Sequence, residues 1–125
     1  MGDDVIQPDE RATMKYAPLI KSAKPKQRLQ LGRYTAVLFA DIVPAGSVEY
    51  HLIMAVFEGE SQQPCYFVAS EVNSLARQLG GGSHFLGLFD GESHSNCGSS
   101  DRWADEVKFT AEALRIIKEK FGIPT

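Results

Sequence analysis

Two runs of strand-forming residues separated by a short turn constrain this fold more than any other feature. Tyr34 to Val43 reads YTAVLFADIV and Val48 to Glu58 reads VEYHLIMAVFE, both rich in β-branched and aromatic residues. Pro44-Ala45-Gly46-Ser47 lies between them and supplies turn chemistry, so the pair predicts a β-hairpin. In the second run Val48, Tyr50, Leu52, Met54 and Val56 share one face, and Glu49, His51, Ile53, Ala55 and Phe57 the other. The second face turns from polar to apolar along the run, which places this strand centrally with cover on both sides.

Pro64 opens a third predicted strand, Cys65 to Ala69, at a position where a missing donor is tolerated. Ser70 then reads as the cap of a short helix. Its Val72, Leu75, Ala76 and Leu79 recur at helical spacing, and Gly80 sits in the C-terminal capping position. His84 to Phe89 is a fourth strand, parallel if residues 70–83 form a crossover and antiparallel otherwise. Trp103 to Phe121 reads as an amphipathic helix with a buried stripe of Trp103, Val107, Ala111, Leu114, Ile117 and Phe121. Asp105, Lys108, Glu112, Arg115 and Glu119 face outward, and Gly122 and Pro124 stop it.

The expected fold class is therefore α+β. A mainly antiparallel sheet of about four strands, in the order β-β-β-α-β-α, is covered by a short helix and a long C-terminal helix. Residues 1–13 read as a flexible tail or an added leader, and residues 14–125 as one domain. Residues 14–28, interrupted by Pro18 and Pro25 and lacking a sustained apolar period, read as an extended arm or at most a short helix.

The chain has 125 residues, 43% of them hydrophobic and 23% charged, as expected of a folded body rather than a disordered one. No apolar run approaches the roughly 18 residues needed to cross a bilayer. The acidic, polar start is unlike a secretory signal, so the expected location is cytoplasmic with no membrane contact. Met1-Gly2 resembles an acylation signal, but Ile6 stands where Ser or Thr is required. Cys65 and Cys97 then read as free thiols rather than a disulfide.

The net charge of −3 is unevenly spread. Lys15, Lys21, Lys24, Lys26, Arg28 and Arg33 form a basic stretch following the acidic Asp3, Asp4, Asp9 and Glu10. Such a stretch suits phosphates, but few aromatics beyond Tyr16 and Tyr34 accompany it. Asp41, Glu49, Glu58, Glu60 and Glu71 beside it disfavour nucleic acid. The expectation is a solvated arm lying against an acidic body.

Chemistry-bearing residues gather between Gly80 and Asp101. His84, Asp90, His94 and Cys97 are metal-ligand types, yet only His94 and Cys97 form a close pair, whereas a structural zinc site shows two, so no metal is expected. Cys97 ahead of the last helix is a candidate nucleophile, with His94 or His84 as its base. The spacing from Cys97 to Arg102 is one residue short of a phosphatase loop. Asn96, Ser99 and Ser100, with Asp90 nearby, form a candidate ligand-binding set whose amides would sit at the helix N-terminus. Glu92 and Asp101 oppose an anion there. Gly80-Gly81-Gly82 follows a helical pattern rather than a strand and is no nucleotide fingerprint. His51 reads as a hydrogen-bonded structural residue and Trp103 as a core anchor.

Because every catalytic set is incomplete, the sequence points to a non-enzymatic domain. It would bind a partner protein or a small ligand through the loops around residues 80–101, with no cofactor. The alternative is a small hydrolase or transferase using a Cys97/His thiol or a zinc site. Self-association through a sheet edge is a further expectation, with the first strand exposed and the basic arm its only cover.

Overall fold

The computed structural model describes residues 17–75 and 81–124. Among these residues six strands form one sheet in sequence order: β1 (Ile20–Leu31), β2 (Tyr34–Pro44), β3 (Tyr50–Glu58), β4 (Tyr66–Val72), β5 (His84–Phe89) and β6 (His94–Ser100). Every neighbouring pair is antiparallel. A 3-10 turn, Asp101–Ala104, leads from β6 into helix α1, Glu106–Phe121. No helix among the described residues is long and apolar enough to cross a membrane.

The hairpin from Tyr34 to Glu58 is present, with Tyr34 opposite Glu58 and Phe39 opposite Ile53. Four strands were too few. The basic stretch is not an arm but β1, an edge strand paired along β2 from Ile20↔Pro44 to Leu31↔Tyr34. Its register slips three times, once beside Pro25, where the lost donor does least harm. Asp41 on β2, at φ 50, takes up part of the same irregularity in a left-handed conformation that aspartate tolerates better than most residues. The last strand, β6, reads HSNCGSS and lacks the branched residues that announce a strand. It exists because the turn after β5 folds the chain back on it.

The short helix at residues 70–79 is overturned. Ser70, Glu71 and Val72 continue β4, opposite Leu86, Phe85 and His84 of β5, so β4 and β5 are antiparallel neighbours and no crossover lies between them. Ala76, Leu79 and the predicted cap Gly80 lie outside the described residues, as do residues 1–16 with the predicted tail.

The C-terminal helix starts later than its pattern implies. Asp105 breaks the run with extended backbone (φ −91, ψ 123), and its carboxylate caps α1 by accepting from the Lys108 amide at 2.9 Å. The break resets the helical phase. Phe109, Ala113 and Ile117 are buried, with Leu114, Ile116 and Phe121 beside them, whereas Val107 is 77% exposed. Gly122 closes the helix in a left-handed cap.

The sheet separates two apolar clusters. Ala36, Leu38, Leu52, Met54, Val56, Tyr66, Val68 and Leu86 meet Trp103 and the buried face of α1. On the opposite face lie Val37, Phe39, Tyr50, Ile53, Ala55, Phe67, Ala69 and Phe89, joined by Ile20 from the start of β1. The Leu19 backbone hydrogen-bonds the Tyr50 hydroxyl, and the Ala45 amide donates to the Leu19 carbonyl at 3.0 Å, so the residue just before β1 is tied to this second face. Burial, reinforced by the charge of Glu71, pushes Tyr50 up to about 12, so its hydroxyl stays protonated.

Candidate functional site

The segment richest in chemistry is the β5–β6 hairpin, and its turn is built by one carboxylate. Asp90 Oδ1 accepts from the amides of Glu92 (2.9 Å) and Ser93 (2.8 Å) and from Ser93 Oγ (3.1 Å), while its own amide donates to the Ser93 carbonyl at 3.2 Å. The two amides hold its carboxyl below the usual range. Asp90 is thus committed to the turn.

From that turn β6 runs back along β5, with His94 opposite Phe89 and Ser100 opposite His84. The register slips between Phe85 and Gly87, where Cys97 and Gly98 form a bulge. Gly98 has φ 97, a conformation that glycine adopts without penalty, and Asn96 Oδ1 accepts from its amide at 2.7 Å.

The His94 end is fastened to the sheet by a bond that passes over β5. Glu71 on β4 is only 7% exposed, and its Oε2 accepts from His94 Nε2 at 3.1 Å. Gly87 of β5 lies beneath this bridge: a Cβ there would overlap the Glu71 carboxylate. The imidazole also stacks on Phe89, with ring centroids 4.0 Å apart and an interplanar angle of 11°. The buried carboxylate is therefore paired as burial requires. Glycine inside a strand signals such a close approach, and Gly87 with Glu71 is the pairing the sequence reading missed.

The other end of β6 is held by the loop before β5. Gly82 donates its amide to Ser99 Oγ at 3.1 Å, and Ser83 donates to Asp101 Oδ1 at 2.8 Å. Ser100 caps the 3-10 turn by accepting from the Arg102 amide at 3.1 Å. Ser70 Oγ, buried, donates to the Trp103 carbonyl at 2.6 Å, and His51 Nε2 donates to the Ala104 carbonyl at 3.0 Å. His51 and His84 lie with ring centroids 5.3 Å apart, and His84 Nδ1 is 2.7 Å from Ser83 Oγ. Burial first, and the neighbouring His51 second, lower the His84 pKa against the opposing charges of Asp101 and Glu49.

The sequence-predicted residues thus share a hairpin without converging. His84 and His94 stand at opposite ends of the β5–β6 ladder. Their ring nitrogens are engaged by Ser83 and Glu71 rather than by Cys97. No group of three metal-ligand side chains forms among the described residues. Cys97 is exposed in β6, and the 3-10 turn separates it from α1, whose N-terminus is capped by the Asp105 carboxylate at the Lys108 amide. The acceptors of Asn96, Ser99 and Ser100 serve nearby backbone amides.

What the hairpin does present is an open edge. Residues 94–98 are exposed, and among the described residues β6 has no partner on its outer side. The two edges of the sheet differ in kind. β1 carries Lys21, Lys24, Lys26, Arg28, Pro25 and three register shifts, the devices that discourage strand addition. β6 carries one register shift and neither lysine, arginine nor proline. A separate open cavity of about 320 Å³ is lined by Arg28, Thr35, Phe57, Glu60, Ser61 and Gln62, and the Ser61 hydroxyl there donates to the Gln63 carbonyl at 3.0 Å. No protein-family model matches this chain, and neither does a curated protein or a solved structure.

Proposed function

We propose that this protein is a binding module that recognises a partner protein through the β5–β6 hairpin, accepting an extended segment along the outer edge of β6. The observation that carries the reading is the contrast between the heavily guarded edge β1 and the edge β6, which has a single register shift and no lysine, arginine or proline. Added strands gain affinity from main-chain hydrogen bonds, and alternate side chains supply specificity. Both ends of β6 are fixed, by Glu71 to His94 and by Gly82 and Ser83 to Ser99 and Asp101, so little order is lost when a partner docks.

Selection from a random peptide library, followed by hydrogen exchange of the bound protein, tests this. Extended peptides that slow exchange in residues 94–100, and that lose at least tenfold in affinity against Asn96→Pro, are the expected result. Binders that leave those amides unprotected and tolerate Asn96→Pro would overturn it.

A further inference from the structure

The segment that fits the β6 edge best is β6 itself. We propose that two copies of this chain pair antiparallel through β6 about a two-fold axis, joining their sheets into one. This inference rests on the reading of β6 as a recognition edge and names its partner.

Two-fold pairing reverses one strand against the other, so whatever lies at one end of β6 meets what lies at the other end in the second copy. Exposed Glu92 precedes the strand, and exposed Arg102 follows it. Self-pairing brings Glu92 of each copy beside Arg102 of the other, twice by symmetry. Between these ends the strand is HSNCGSS, with no acid, lysine or arginine to set like charges opposite one another. The same operation on β1 would align Lys21, Lys24, Lys26 and Arg28 against their own copies, which like-charge repulsion disfavours. A net charge of −3 per chain adds little long-range repulsion.

The geometry carries its own reporter. Cys97 is the middle residue of the seven in β6 and is exposed. An axis through the strand centre sets the two Cys97 residues opposite one another, with their side chains on the same face of the joined sheet. Directly opposed antiparallel residues have Cα atoms about 4.5–5.5 Å apart, within reach of a short thiol cross-link.

The test uses the full chain under reducing conditions. Sedimentation equilibrium should show a monomer–dimer equilibrium, and a short bifunctional maleimide should join Cys97 to Cys97 while leaving Cys65 unlinked. Arg102→Glu should weaken the dimer about tenfold, since two exposed ion pairs become two repulsions. Adding Glu92→Arg to it should restore dimerisation, a rescue that general misfolding does not produce. Asn96→Pro should give a monomer whose Trp103 fluorescence and far-ultraviolet dichroism remain native. A monomer at every concentration whose β6 amides are nevertheless protected by selected peptides would overturn self-pairing and leave edge recognition standing. A monomer that also binds no peptide at β6 would overturn both. A dimer indifferent to Asn96→Pro and to the charge exchange would overturn self-pairing through β6 and assign the contact to another surface.

Discussion

At the scale of single residues, the anchoring of β6 depends on an atom that is missing. Gly87 has no Cβ, and the Glu71 carboxylate occupies the space one would fill on its way to His94. Glycine in a strand costs about 0.5–1 kcal/mol against alanine, so removing it would ordinarily stabilise the sheet. Here a methyl group displaces a buried carboxylate from its hydrogen bond, a loss of about 1–3 kcal/mol. Gly87→Ala is therefore expected to destabilise by about 1–2 kcal/mol in urea titration. In a Glu71→Ala background the same substitution should be neutral or stabilising; a penalty there would show that the Glu71–His94 bridge is not its cause. His84 supplies a pH signature of known sign. Its folded pKa lies below the ordinary value of 6.5, so above that pH both states are neutral and the residue contributes nothing to the slope. As pH falls through 6.5 the unfolded chain takes up the proton first, and stability drops until the folded pKa is passed. The melting temperature of the native chain should thus decline between pH 7.5 and 5.5 more steeply than that of His84→Gln. Equal slopes would remove His84 as a contributor.

At the scale of elements, legibility followed the strength of the local signal. The β2–β3 hairpin was readable because branched and aromatic residues fill both strands and a Pro-Ala-Gly-Ser turn divides them. The edge strands were not, for opposite reasons. β1 is long but pays for its edge position with cations, a proline and register slips, which read as a solvated arm. β6 is polar and small, and its closing turn, its pairing with β5, the Glu71–His94 bridge and the Gly82 and Ser83 bonds at its far end make it a strand. Residues 70–72 illustrate a period conflict: Val72 and Leu75 suit a helix, but Tyr66 to Val72 paired between β3 and β5 buries Phe67, Val68 and Ala69 on both faces at once. Tertiary pairing overrode local propensity there. In the last helix the apolar residues were legible but their phase was not. The cap at Asp105 shifts the buried stripe from Val107 and Ala111 to Phe109 and Ala113. The candidate site was legible as a segment, through its histidines and Cys97, and not as an arrangement. Which end of a hairpin each residue occupies depends on a turn and a bulge that composition does not reveal.

At the scale of the whole molecule, the two apolar clusters are chemically separate and mechanically joined. Met54 and Val68 belong to the cluster under α1, while their chain neighbours Ile53, Ala55, Phe67 and Ala69 belong to the cluster on the other face. Strands β3 and β4 therefore hold up both, and neither cluster can melt without dissolving the pairing on which the other depends. Cooperative unfolding in one step is the consequence. Trp103, the single tryptophan, is 8% exposed in the first cluster and reports on it alone. Phe67 lies in the second cluster, 1% exposed, with its ring edge-on to Phe89 at a centroid distance of 6.4 Å. Phe67→Ala removes a buried aromatic at a cost of about 3–5 kcal/mol. If the sheet transmits that loss, the urea midpoint read by Trp103 fluorescence falls together with the midpoint read by far-ultraviolet dichroism, although the substitution touches nothing on the tryptophan's side. A Trp103 transition that stays in place while the dichroism transition moves would mean that the two faces unfold independently, and that the central strands do not couple them.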